Sequence, residues 1–593
     1  MPWRPRLLAA GTIALAVWAL RVALIGDLGM GIPLLDQWDS EGLFVYEPWV
    51  QGQFSWRAIF EPYLEHRIAW THLWNIGLFE IGGQWDPMVQ MVAQAVIPAL
   101  TAGFCVWGLV AAYAGWPWRS AVLLGALIAF GAPFSYQNIL WGFQSCFAFW
   151  VVLSLCGCAA TALAWRNPRY GWLALFAGLA APFALGAGIL VGPIIFALAV
   201  LVMLIEKKIT RRSKGIMAVG LICFLWGLLV RSQGTGATHA HAKSVAQTVQ
   251  AWLAACAWPN SAVPWLAGWA CWPAVILLIQ LVRKGLLPRP HELFIIGIFI
   301  WALLSAVGGA WARGALGSMP PSRYCDFLTL LCWANLLALI TVMGAWWKTG
   351  VTLLRLFGAV IALAWVGSVV YGGVGLLERF FKTERPALQK IVVNQFAVMH
   401  TILEGGVTAT GIVERNGKRA LPYQEIMESR VLAPFLPPEI QRPFRGMTPE
   451  GILMMRFADS TSAWQWQSEP FETQSSAMLV FINSDWRKLN LELLRQGVES
   501  KTYFQPSGRQ VAGWSEWLVR TMPGRYRLNI ESASGSGDLS IILPRPLSAP
   551  GYWVRWVGAE STFLIELAGV CFAVALLVCR DKASADENNV PTD

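Results

Sequence analysis

The chain is divided into apolar runs long enough to cross a bilayer, and that feature constrains its fold more than any other. A helix needs about 20 predominantly apolar residues to cross the hydrocarbon layer. Runs of this kind fall near 7–25, 88–113, 119–134, 146–165, 170–185, 188–205, 215–231, 262–282, 292–309, 324–346, 350–372 and 557–579. Backbone groups in lipid must pair within their own segment, so each run is expected to be a helix. Composition agrees: 13% of the 593 residues are charged, against roughly 25% in a soluble domain. So apolar a chain cannot cover a water-facing globule. Disorder, collagen and a disulfide scaffold are excluded on the same ground. The fold class expected is a polytopic α-helical membrane protein of about twelve spans.

Basic residues set its orientation. The run Glu206-Lys-Lys-Ile-Thr-Arg-Arg-Ser-Lys214 is the strongest cytoplasmic anchor. Counting outward, Arg166–Arg169, Arg283-Lys284, Lys348, Arg580 and Lys582 also fall inside, with both termini cytoplasmic. Arg4 and Arg6 precede the first run, which lacks a small-residue cleavage site and reads as an uncleaved span. The net charge of +10 is this topology signal. No basic stripe carries interleaved aromatics, so nucleic acid is not an expected partner. Cysteines such as Cys105, Cys146, Cys156 and Cys158 lie in apolar runs as small hydrophobes. No CxxC pair occurs, and neither a metal site nor a structural disulfide is expected. The segment 66–80 is too polar for a span and is expected to be an interfacial or re-entrant helix. The first outer loop then runs over 26–87.

Composition shifts after Gly375, where Glu, Gln, Asn, Lys and Arg become common. Residues 1–375 are expected to form the membrane domain and 376–555 a soluble domain on the non-cytoplasmic face. Residues 556–593 are the final span and a polar tail. Strand-like segments at 477–482, 517–520, 526–530 and 539–543 are bounded by turn residues at 523–524 and 534–538. They predict a β-sandwich portion, with a helical stretch near 386–430, an α+β domain overall.

Charges are rare, so those beside the membrane are the most informative. The first loop carries Asp36, Asp39 and Glu41, then Glu61, Glu65, His66 and Arg67. A carboxylate can take the proton of an attacking hydroxyl held within hydrogen-bond reach; the bland alternative is a solvated acidic turn. If 61–80 is helical, Glu61, Glu65, His72 and Asn75 share one stripe with Ile68, and Trp74 points away. Ser135–Ser145 mixes Tyr136, Gln137, Asn138, Trp141 and Gln144. Aromatic faces with amides suit a sugar, and equally an interfacial aromatic belt. Arg313, Arg323 and Tyr324 lie on an outer loop against the charge trend. Guanidinium donors match phosphate oxygens; an ion pair with Asp326 or with the acidic first loop is the alternative. His239 and His241 read as part of a flexible loop rather than a metal pair.

Together, Asp36-Gln-Trp-Asp39-x-Glu41, Glu65-His-Arg67, Trp141-Gly-Phe-Gln-Ser145 and Ser322-Arg-Tyr324 resemble the pattern of bacterial integral membrane glycosyltransferases of the GT-C superfamily. The resemblance covers most of residues 1–345. It implies a polyprenyl-phosphate-linked sugar as donor, with membrane lipid around it. It implies inverting transfer on the periplasmic face of the bacterial inner membrane to a lipid-linked glycan, lipopolysaccharide or protein. It assigns the general base to Asp36 or Asp39, with Glu41 beside them. Gln37 and Trp38 interrupt the family's paired Asp-Asp form and leave the choice open. Phosphate binding falls to Arg323, Arg313 and Arg67. Substrate contacts fall to Glu65, His66, Tyr136, Gln137, Asn138, Trp141, Gln144 and Tyr324. Mg²⁺ or Mn²⁺ suits the carboxylate oxygens, but too few ligands are evident to claim a site. The rivals are a polysaccharide polymerase or ligase using a diphosphate-linked glycan, a transporter, and a structural scaffold.

Overall fold

The computed structural model describes residues 1–113, 115–232, 240–317, 320–347, 352–403, 429, 431–441, 454–457, 463–483, 489–497, 501–511, 513–532 and 539–580. Its helices are α1 (Trp3–Leu28), α2 (Ala69–Gly82), α3 (Pro87–Leu109), α4 (Trp116–Gly131), α5 (Ser145–Ala164), α6 (Tyr170–Ala180), α7 (Val191–Glu206) and α8 (Arg211–Leu229). They continue with α9 (Val245–Cys256), α10 (Ala267–Lys284), α11 (Pro290–Arg313), α12 (Cys325–Trp347), α13 (Thr352–Arg379), α14 (Arg385–Leu403), α15 (Ala549–Ala559) and α16 (Ser561–Arg580). Among the described residues, eleven helical segments are long and apolar enough to cross a membrane. The chain is a polytopic helical membrane protein.

The run at 170–185 differs from its expectation. Its helical stretch, Tyr170–Phe183, falls short of spanning length. The chain there passes into tight turns at Ala181–Phe183, which carries Pro182, and at Gly186–Leu190. Proline removes a helix donor and glycine tolerates the turn. Elsewhere, small residues let helices meet closely. A Cβ on Gly192 would lie 2.8 Å from the Gly220 carbonyl oxygen, so α7 and α8 cross backbone to backbone. Helix α12 lies deep in the bundle, whereas α13 is mostly exposed along its apolar stretch.

Helix α13 does not end where the composition changes at 375. It continues through a π-helical turn, Phe380–Glu384, into α14. The helical expectation for 386–430 holds through Leu403, and 404–428 lie outside the described residues. So does the polar tail, 581–593.

Among the described residues the β domain has ten strands: β1 (Met454–Phe457), β2 (Trp464–Gln467), β3 (Phe471–Thr473), β4 (Ala477–Asn483), β5 (Leu489–Arg495), β6 (Lys501–Tyr503), β7 (Gln505–Val511), β8 (Trp514–Arg520), β9 (Gly524–Ser532) and β10 (Leu539–Leu547). One antiparallel sheet has the order β1-β10-β4-β8-β7; the other has β2-β9-β5-β6, with β3 on β9. Side chains alternate faces along a strand. On β4, Met478, Val480 and Ile482 therefore meet Leu491, Leu493, Leu528 and Ile530 of the second sheet. Ala477, Leu479 and Phe481 on the other face join a cluster with Ile32, Trp38, Tyr46, Phe79 and Trp85 of the first loop. Strand β4 in the first sheet is thus buried on both faces, and one of them holds the acidic loop.

Charges lock this seam. Arg555 of α15 bonds Asp86 (2.6 Å) and Glu439 (2.5 Å). Arg509 pairs with Glu516 at 3.2 Å and donates to the carbonyls of Gly26 and Gly29 at the end of α1. Arg545 donates to the carbonyls of Pro438 and Glu439.

Candidate functional site

The site begins where α1 stops. The Gly29 N–H closes the helix on the Ile25 carbonyl at 2.7 Å. Leu35 then takes a left-handed backbone, φ 46°, a strained conformation for a non-glycine residue. The turn is held by Leu34 N–H to Gln37 Oε1 (3.0 Å) and Trp38 Nε1–H to the Pro33 carbonyl (2.8 Å). Gln37 and Trp38, which follow, are buried, while Asp36 at the tip keeps a solvent-accessible edge and turns its carboxyl into the wall of a cavity, partly desolvated there. A π-helical segment, Trp38–Tyr46, follows and carries Asp39 and Glu41.

Asp36 lines a cavity of about 490 Å³, within the range of small-molecule sites. Arg67, Arg231, Arg313 and Arg323 line the same cavity, with Glu65, His66, Gln144, His241 and Tyr324. Its apolar wall includes Phe147, Trp150, Leu185, Ile189, Leu190 and Phe327. Arg313 is tied to Glu65 at 3.3 Å. Arg67 donates to the carbonyls of Val230 (2.7 Å) and Phe60. The Arg323 guanidinium makes no hydrogen bond or ion pair among the described residues, and its Nε is buried. Its backbone is fixed instead: Asn138 Nδ2 donates to the Arg323 carbonyl (2.8 Å) and to Asp326 (2.7 Å), and Arg21 faces Asp326 at 3.7 Å.

Burial raises the Asp36 carboxyl above the ordinary carboxylate range; the Asp39 charge adds to this and Arg323 opposes it. Burial lowers His66, with Glu65 opposing and Arg313 and Arg323 assisting, so the neutral ring is favoured.

The structure separates residues that the sequence grouped. Glu41 is fully buried away from the cavity and accepts from Asn75 (2.7 Å), Gln90 (2.9 Å), Trp85 (3.1 Å) and Gln37 (3.3 Å). Burial raises it to about 7 despite these donors. Asp39 is half-buried beside the cavity rather than in its lining. The expected stripe of Glu61, Glu65, His72 and Asn75 is corrected. Helix α2 starts only at Ala69, because Tyr63 and His66 pair across a turn with Leu64 at φ 50°. His72 and Asn75 point inward, while Glu61 lies exposed in the loop.

Tyr136, Gln137, Asn138 and Trp141 also lie outside the cavity. The Tyr136 hydroxyl donates to Glu384 (2.9 Å), Gln137 N–H to the Ser322 hydroxyl (3.3 Å), and the Trp141 carbonyl accepts from Gln94 (3.0 Å). Gln137 and Asn138 thus hold the Arg323 turn, while Tyr136 and Trp141 bond elsewhere.

Arg231 and His241 line the cavity but were no part of the expected site. His241 stacks on Trp311 with centroids 4.4 Å apart; His239 lies outside the described residues. Arg231 carried the same signal as Arg313, an arginine at the end of an apolar run. Among the described residues, no three His, Cys, Asp or Glu come together as a metal-binding group.

No protein-family model matches the chain, and no curated protein or solved structure matches it.

Proposed function

We propose that this protein is a membrane glycosyltransferase of the GT-C type, moving a sugar from a polyprenyl-phosphate donor to a periplasmic-side acceptor in a bacterial inner membrane. The supporting observation is that Asp36 and Arg323 share one apolar-walled cavity of about 490 Å³. Asp36 takes the proton of the acceptor hydroxyl. The acceptor oxygen bonds the anomeric carbon as the bond from that carbon to the phosphate oxygen breaks, inverting the configuration. The departing phosphate gains charge beside Arg323 and Arg313, and the lipid chain runs along Phe147, Trp150 and Leu190. Fixed charges at a leaving group are among the larger contributions to catalysis, and a general base adds roughly 10²–10⁴-fold.

The four arginines of the cavity favour a second reading, a polymerase or ligase acting on a diphosphate-linked glycan. The two are separated by supplying the purified protein, in vesicles, with a polyprenyl-monophosphate sugar or a diphosphate-linked one. Turnover of the monophosphate donor is expected, lost in Asp36→Asn with donor binding retained. Turnover at the wild-type rate in Asp36→Asn would remove the assignment of the base.

A further inference from the structure

Two short helices wear their polarity the wrong way round for a protein in water. A helix on a water-facing surface turns its charged face outward. Helix α2 instead turns Thr71, His72 and Asn75 inward, each at most 3% exposed. Its outward side chains are Leu73 and Ile81, with Ile81 76% exposed, and one carboxylate, Glu80, which accepts from the Trp49 indole N–H. Helix α15 does the same. Its inward row is Gly551, Arg555 and Gly558, and its outward side chains are Trp553 (47% exposed) and Trp556 (48%).

The two helices adjoin. Gln84, just past α2, donates to the Pro546 carbonyl at 3.3 Å and accepts from the Ser548 N–H at 3.2 Å, just before α15. A Cβ on Gly82 would lie 3.8 Å from the Ser548 hydroxyl. Only Glu560 separates α15 from the span α16, so α15 ends at the bilayer boundary. Above its rings stands Arg520, exposed at the end of β8. Its guanidinium is 5.5 Å from the Trp553 centroid and 5.9 Å from that of Tyr552. No acidic side chain pairs with it among the described residues.

We infer that α2 and α15 form one lipid-facing ledge in the leaflet on the β-domain side, and that Arg520 above it binds the phosphate of an anionic phospholipid headgroup. Interfacial helices bury an aromatic or aliphatic face at the headgroup–acyl boundary. Tryptophan concentrates at that level, and a guanidinium just above it meets phosphate oxygens. The inference is independent of the glycosyltransferase reading.

Benzoylphenylalanine is placed at Ile81, Trp553 or Trp556, and as a control at Tyr503, exposed on β6 of the second sheet. All four positions are exposed, so the replacements leave the core intact. The full chain is irradiated in vesicles of phosphatidylcholine and phosphatidylglycerol, and the adducts are weighed by mass spectrometry. Lipid adducts are expected at 81, 553 and 556 and not at 503. Phosphatidylglycerol is expected to be enriched about fivefold at 553, the enrichment worth ~1 kcal/mol for one arginine at an anionic surface, and Arg520→Gln removes it. Adducts to a second protein chain, or lipid adducts as frequent at 503, would overturn the ledge. Enrichment unchanged by Arg520→Gln would overturn the headgroup site.

Discussion

Two acidic residues of the first loop illustrate how burial assigns roles. Asp36 must be ionised to accept a proton, and its carboxyl is raised by burial and by the Asp39 charge. The acid limb of the rate profile is therefore expected above the ordinary carboxylate range. Asp39→Asn removes a like charge and should move that limb to lower pH; Arg323→Ala removes an opposite charge and should move it higher. Rates measured from pH 4 to 8 decide both signs, and a limb that does not move in either variant excludes Asp36 as the group titrating. Arg323→Ala should also weaken donor binding roughly tenfold to a hundredfold, the value of a charge-assisted hydrogen bond, read from a binding isotherm.

Glu41 gives a stability prediction. Its carboxyl is raised in the fold from 4.5 to about 7, so the folded state holds a proton that the unfolded chain has lost. Its contribution is fully present below pH 4.5, falls as pH rises from 4.5 to 7, and levels off above. The loss is on the order of 3 kcal/mol. Glu41→Gln should flatten this slope, because a neutral amide does not titrate, keeps an acceptor oxygen, and can donate its N–H to Asn75 Oδ1, which has no partner among the described residues. Thermal midpoints of both proteins across that window test it; equal slopes would place the proton elsewhere.

At the scale of elements, the acidic loop depends on how closely α1 approaches α15. A Cβ on Gly26 would sit 1.8 Å from the Gly558 carbonyl oxygen, whereas one on Gly11, in the same helix, meets nothing within 4 Å. Gly26→Ala should therefore destabilise by about 1–3 kcal/mol through overpacking. Gly11→Ala should be neutral or stabilising by up to ~1 kcal/mol, through helix propensity. Unfolding midpoints of the two variants separate crossing geometry from propensity; equal shifts would contradict the close crossing. Element types were legible here because apolar runs and period-two strands leave direct marks: β4, β8, β9 and β10 contain the four segments expected. The break before α2 was not legible, since the Tyr63–His66 turn and left-handed Leu64 have no glycine or proline at the turning residue to announce them.

At the scale of the molecule, the β domain is a brace for the membrane domain's first loop. Three arginines and three carboxylates meet at the seam, none more than 6% exposed. Removing one member leaves a buried charge without its counterion, which costs about 3–5 kcal/mol. Arg555→Leu is expected to lower stability by that amount and to loosen the Asp36 turn, measured by thermal unfolding and by protease sensitivity of residues 29–46. Full stability in Arg555→Leu would mean that the seam carries no net electrostatic weight.

The sequence by itself determined the membrane class, the position of most helical segments, the presence of a β portion with four of its strands, and the shortlist of loop charges. Each of these follows from local periodicity and composition, which act over a few turns of chain. Only the tertiary structure decided which charges meet. It set Asp36 in the cavity with Arg323 and hid Glu41 behind four donors. It moved Gln137 and Asn138 into support of the Arg323 turn, took Tyr136 and Trp141 out of the cavity, and added Arg231 and His241. A side chain's role depends on the solvent and partners around it, and those partners come from segments hundreds of residues apart, as with Arg509 and Gly26.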